Sequence, residues 1–220
     1  MSEHDLPAVL LTGFEPFGGE RINPSGEIAR ALDGEIVNAH RVVGAVLPVA
    51  FASTLPMLEA LIETHRPVLV LATGQAGGRG ELSIERLAAN LVDARIPDAD
   101  GAQPIDEPVV AGAPAAYFST LPVKAMLARM RALGIPASLS QSAGAYVCNQ
   151  TFYALAHLVD TRHRGTRAGF MHVPWLPEQA ARHHGQPSMA LETMVAGVRA
   201  AIECAVATRR DLRAAGGAMH

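Results

Sequence analysis

Apolar residues fall into two rhythms along this chain. The unbroken runs Ala8-Val-Leu-Leu-Thr12 and Val68-Leu-Val-Leu-Ala72 stop close to glycines and predict buried strands. Between them, Pro24–Leu32 predicts a helix, with Asn23 as its N-cap and Pro24 at the first helical position. Residues 37–49 are β-rich, and residues 52–65 predict a second helix broken by Arg66-Pro67. Residues 84–92 fit a strand or a helix equally. Residues 93–114 are polar and rich in Pro and Gly, which predicts a long functional loop. A helix over 123–133 stops at Gly134, and 137–142 is strand-like. From Cys148 onward, Phe152, Leu155, Ala156 and Val159 keep helical spacing. Residues 168–173 predict a strand stopped by Pro174. A last helix shows Leu191, Met194, Val195, Val198 and Ile202 on one face.

This alternation predicts an α/β protein: a three-layer α/β/α sandwich around a twisted, mostly parallel sheet. No internal repeat or interdomain linker interrupts it, so residues 1–220 are expected to form one domain, with 1–7 and 211–220 fraying. In open α/β sheets, sites form outside the carboxyl ends of strands. Residues 13–19, 74–80, 143–148 and His172 all fall at such ends and are expected to converge.

Composition narrows the function classes. A chain with 49% apolar and 18% charged residues reads as soluble and globular. A net charge of −3 with no basic patch argues against nucleic acid as a partner. The start lacks the basic and apolar regions of a signal peptide, and residues 188–206 are interrupted by Glu192, Arg199 and Glu203, so no membrane span is expected. The two cysteines have no zinc spacing and suit free thiols in the cytoplasm.

Cys148 stands between a strand-like stretch and a helix, where helix-start N–H groups favour thiolate over thiol. Against this, a free cysteine is most often a small buried hydrophobe. Its nucleophilic use requires a base, and the base requires an orienting partner. Of nine histidines, His4 and His220 are terminal, and His163, His183 and His184 lie in polar, solvated stretches. His40, His65 and His157 lie in or beside regular elements. His172 closes a strand and is the topological candidate. Glu81, Glu85, Asp93 and Asp98 are all open as the acid. Glu85 has apolar neighbours that would bury it, but it also suits a solvated pair with Arg86. The loop 74–80 matches no phosphate motif, and the turn 13–19 carries Phe14, Glu15 and Phe17 where phosphate would require cations. A flat, modestly polar ligand suits the two phenylalanines better, unless both are core.

Ordered segments resemble the pyroglutamyl peptidase I (pyrrolidone-carboxylate peptidase) family of cysteine peptidases. They are Leu10-Leu-Thr-Gly-Phe-Glu-Pro-Phe-Gly-Gly19 with Asn23-Pro-Ser25, Gly74-Gln-Ala-Gly-Gly-Arg79, Glu85-Arg86 with Asn90, Ala94-Arg-Ile-Pro-Asp98, Ser142-Ala-Gly-Ala-Tyr-Val-Cys-Asn149, and Gly169-Phe-Met-His-Val-Pro174. They run in family order from about residue 8 to about 205. The resemblance implies a Glu85, Cys148, His172 triad that hydrolyses the bond after an N-terminal pyroglutamyl residue through a thioester. It selects Glu85, which the residues alone did not. It also implies Arg95 as a positive group near the oxyanion, and Phe14, Phe17, Asn23, Gln75, Tyr146 and Val147 around the substrate ring. It implies no cofactor, no metal, a cytoplasmic location and a homotetramer. The small residues around Cys204 (Gly197, Ala200 and Ala201) mark that thiol as packing or interface. Two rivals are a nucleoside-phosphorylase-like enzyme, which would need no thiol, and a non-catalytic binder of blocked peptides, which would need no triad.

Overall fold

Strict alternation gives each central strand two apolar faces. The structure, a computed structural model, describes residues 6–216; the expectations for residues 1–5 and 217–220, including His4 and His220, lie outside the described residues. In β1 (Ala8–Phe14), Val9 and Leu11 face one way and Leu10 and Phe14 the other. The same split runs through β3 (His40–Leu47), β4 (Leu69–Gln75) and β9 (Arg167–Val173). A sheet buried on both faces needs helices on both. Ile28 and Leu32 of α1 (Pro24–Leu32), Met126 and Met130 of α3 (Val123–Ala132), and Met194, Val198 and Ile202 of α6 (Leu191–Ala207) cover the first face. Leu58 and Ile62 of α2 (Phe51–His65) and Phe152, Leu155 and Val159 of α4 (Val147–Thr161) cover the second. Each such apolar side chain, fully buried, contributes about 1.5–3 kcal/mol.

With β2 (Ile36–Val37), β5 (Leu82–Glu85) and β8 (Ala137–Ser140), seven strands of the described residues form one sheet in the order β2-β3-β1-β4-β9-β5-β8. Pairing is parallel except for β2 with β3 and β5 with β9. The expected mostly parallel sandwich is therefore present. The segment that fitted strand or helix resolves into β5 and β6 (Leu87–Ala89), and β6 pairs with β7 (Ala116–Phe118) in a separate two-stranded antiparallel sheet. The short α5 (Pro177–Ala180) follows β9.

Local chemistry matches several predicted boundaries. Asn23 caps α1, its side chain accepting from Ser25 N, and α2 ends at Arg66 in the left-handed region. The loop over residues 93–114 is heavily tied. Asp98 accepts from Phe51 N at 2.7 Å, Asp100 N at 3.0 Å and Ala102 N at 2.8 Å. Gln103 Nε2 reaches Ala94 O at 2.9 Å, and Val92 pairs with Glu107. The stretch from residue 211, expected to fray, makes bonds to the body of the fold at its first residue. Asp211 accepts from Lys124 N and Ala125 N at the start of α3, which has no side-chain cap of its own. His183 keeps part of its side chain in solvent but is also engaged: it stacks on Trp175 with centroids 4.0 Å apart and bonds Glu20 at 2.9 Å. No helix among the described residues is long and apolar enough to cross a membrane.

Candidate active site

The ends of β1 and β4 and the start of α4 meet at one cavity of about 110 Å³. Phe14, Phe17, Asn23, Val49, Gln75, Tyr146, Val147 and Cys148 line it. Phe14 is placed by close approach of β1 and α1: a Cβ on Gly13 would lie 2.0 Å from Ser25 O. Phe14 N then donates to Ser25 Oγ at 3.0 Å. Phe17, Tyr146 and Phe51 form an aromatic rim, with centroids 5.8 Å and 5.2 Å from Tyr146. Tyr146 donates its hydroxyl to Pro97 O at 2.9 Å, which joins the rim to the long loop. Asn23 lines the cavity with its amide already engaged: Oδ1 accepts from Ser25, and Nδ2 donates to Glu15 O at 2.9 Å.

Cys148 lies in the first turn of α4, half-buried at the cavity wall. Tyr146, the N-cap, offers no side-chain cap, and the first helical bond runs from Gln150 N to Tyr146 O at 3.0 Å. The amides of Val147 and Cys148 are among the orphan donors of this helix start. Helix position alone does not make this thiol acidic. Burial pushes Cys148 up to about 12; Glu85 pushes the same way and Arg79 opposes it.

His172 and Glu85 come from strands that run in opposite directions. In the β5–β9 register Ser83 stands opposite His172 and Glu85 opposite Phe170. Residues 83, 85, 170 and 172 thus share the face under α4, and Glu85 is diagonal to His172. The His172 Nδ1–H donates to Glu85 Oε1 at 2.7 Å, which leaves Nε2 as the second ring nitrogen. Burial holds His172 below its ordinary value against the upward pull of the Glu85 hydrogen bond. Next to it in β4, Gly74 pairs with His172, and a Cβ there would lie 2.8 Å from Cys148 Sγ. The absent side chain is the space the sulfur occupies.

Glu85 is 0% exposed, and its cation is Arg79 rather than the neighbouring Arg86: Arg79 donates to Oε1 at 2.8 Å. The sequence expectations did not single out Arg79, although it is the cation of the loop 74–80 and lies six residues before Glu85. Its engagement with Glu85 also leaves that loop without a free cation for phosphate. Val49 was likewise not singled out; only its burial beside Phe14 brings it to the cavity. Arg95 is exposed, does not line the cavity, and pairs with no carboxylate among the described residues. Cys204 lies on α6, on the opposite face of the sheet from Cys148. Among the described residues no cluster of three or more His, Cys, Asp or Glu is arranged to hold a metal.

Comparison with known proteins places these features in context. The family model described as pyroglutamyl peptidase matches residues 7–208. The pyrrolidone-carboxylate peptidase of Cupriavidus taiwanensis is 57% identical over 98% of this chain and 100% of its own length. Pyroglutamyl peptidase I of Bacillus amyloliquefaciens superposes with a TM-score of 0.92 at 39% identity, over 94% of this chain and 100% of that one. The pyrrolidone carboxyl peptidase of Thermococcus litoralis gives 0.93 at 37% identity, over 96% and 100%. With a family model spanning almost the whole described sandwich, and relatives matched along their full length, this chain belongs to the pyroglutamyl peptidase family.

Proposed function

We propose that the protein removes N-terminal pyroglutamate from peptides, with Cys148 as nucleophile, His172 as base and acid, and Glu85 as the residue that orients the imidazole. One observation carries this: a thiol at the wall of an aromatic-rimmed cavity, packed against Gly74, whose partner across the sheet, His172, is hydrogen-bonded at 2.7 Å to a fully buried carboxylate. The high resting thiol and the lowered imidazole make a neutral pair the stable empty state. Substrate binding brings a carbonyl to Sγ, and the proton passes from Sγ to Nε2 as the C–S bond forms. The imidazolium then protonates the departing amine, leaving a thioester. Water, deprotonated by His172, releases pyroglutamate and restores the thiol.

The developing oxyanion is assigned to the amide of Cys148, one of the orphan donors at the start of α4. Losing such a donor in other enzymes costs roughly 3–4 kcal/mol. Arg95 serves this charge only by turning inward from its exposed position. The lactam ring fits between Phe14, Phe17 and Tyr146, with Gln75 and Val147 supplying backbone polar groups; Asn23 shapes the wall. A free N-terminal ammonium would be poorly solvated in this apolar cavity, which favours the uncharged lactam. The cytoplasm and a homotetramer complete the proposal on family resemblance alone.

The test is hydrolysis of a pyroglutamyl-amide chromogenic substrate. Cys148→Ser is expected to lower kcat at least about a thousandfold, as for loss of a nucleophile elsewhere, while Cys204→Ser keeps parental turnover. A folded Cys148→Ser protein with parental turnover overturns the assignment.

A further inference from the structure

Glu85 carries two donors on one oxygen. Oε1 accepts both His172 Nδ1 at 2.7 Å and Arg79 Nη1 at 2.8 Å, while the buried Oε2 has no partner among the described residues. Arg79 reaches this carboxylate from outside, with a third of its side chain exposed in a groove bounded by Glu81, Ser83, Ser138 and Ser140. Its other terminal nitrogen reaches toward Ser142 O at 3.4 Å, on the segment that leads into Cys148. One guanidinium thus touches the acid of the site and the approach to its nucleophile.

A buried carboxylate beside a thiol has two opposed effects. It fixes the imidazole, and its charge opposes a second negative charge on sulfur. The charged and titratable groups bearing on Cys148 are Glu85 on β5, Arg79 on the loop after β4, and Tyr146 at the head of α4; His172 on β9 feels the same Glu85 and Arg79. Of these, Arg79 supplies the permanent positive charge. We infer that Arg79 is a positioning residue of this site: sharing Glu85 Oε1 with His172, it offsets part of the buried carboxylate's charge, so that Glu85 orients the imidazole with less opposition to ionisation of Cys148. This inference rests on the proposed roles of Cys148, His172 and Glu85.

The experiment follows two pH profiles in a Cys204→Ser background: the rate of Cys148 alkylation by iodoacetamide, and kcat/KM for the pyroglutamyl amide. Removing a nearby positive charge raises the pKa of a thiol, so Arg79→Gln is expected to move the acid limb of both profiles to higher pH. The expected movement is about one unit, or a rate on that limb about tenfold lower at fixed pH. Arg79→Lys is expected to keep the limb within about half that distance, because the charge remains. An Arg79→Gln protein that loses turnover with both limbs unmoved has lost only a loop anchor, and the inference falls. If Arg79→Gln does not fold, Glu85→Gln is compared with the Glu85→Gln/Arg79→Gln double variant. The alkylation limb is expected at higher pH in the double variant, and coincident limbs overturn the inference. Failure of the underlying roles is separable: turnover surviving in Cys148→Ser removes the nucleophile, whereas an inactive Cys148→Ser with unmoved limbs in Arg79→Gln removes Arg79 alone.

Discussion

A methyl group at position 74 would lie 2.8 Å from Cys148 Sγ and 2.9 Å from Phe170 Cζ. Phe170 is confined, since it is fully buried and packs on Phe152 and His172. The sulfur is the atom with a cavity to move into. Gly74→Ala is therefore expected to displace Sγ from the imidazole and lower kcat/KM for the pyroglutamyl amide by about a hundredfold, as misplacement by about an ångström does in other enzymes. Parental kcat/KM in folded Gly74→Ala would show that this contact does not position the thiol. Residue type alone made Cys148 and His172 visible, because a thiol at a helix start and a histidine at a strand end are uncommon placements. Glu85 was not separable from Glu81, Asp93 and Asp98, since its partners His172 and Arg79 are set by the antiparallel register of β5 on β9 and by a loop, and neither is written in local spacing. Family resemblance, not periodicity, chose it.

The element that presents Cys148 is held at the next residue. Asn149 is buried, accepts from Ala89 N at 3.0 Å, and donates to Ala89 O at 2.9 Å and Leu91 O at 2.8 Å. These bonds lock the start of α4 onto β6, which continues from β5 and Glu85. Asn149→Ala leaves three backbone groups unpaired in a part-buried place, at a cost of about 1–3 kcal/mol for each one kept from water. A loss of about 2–4 kcal/mol in urea unfolding is expected, together with reduced turnover. An unchanged unfolding midpoint would show that water replaces the amide without penalty. Long elements were legible in the sequence because apolar faces repeat over several turns: α1, α2, α4 and α6 all lie where the pattern put them. The three- and four-residue β6, β7 and α5 were not, because such lengths hold less than one full period of either rhythm. Composition predicted residues 93–114 to be a long functional loop without showing what ties it down. Asp98, Gln103 and Tyr146 hold it through partners up to 49 residues away, a separation that composition does not encode.

Across the whole molecule, the sandwich was legible and its closure at the carboxyl end was not. The alternation of strands and helices fixed three layers, whereas the Ala- and Gly-rich composition of 211–220 suggested a loose end. Asp211 instead caps a helix 86 and 87 residues earlier in sequence, and Lys124 Nζ of that helix donates back to Ala214 O. The N-cap of α3 is Pro122, which brings no side-chain acceptor, so the orphan amides of Lys124 and Ala125 depend on this distant carboxylate. Its negative charge also faces the positive end of the helix. Because α3 packs on α6 over the first face of the sheet, loosening its start exposes part of that layer. Asp211→Ala is expected to lower stability by about 1–2 kcal/mol, the range for loss of a helix cap. For a chain of this size that corresponds to a melting temperature lower by about 2–8 °C. The cavity with Cys148 lies on the other face, so turnover of the pyroglutamyl amide per folded molecule should stay at the parental value. A melting temperature unchanged in Asp211→Ala would show that the tail rests on α3 without stabilising it, and turnover falling in step with stability would show that the two faces of the sheet are coupled through α3.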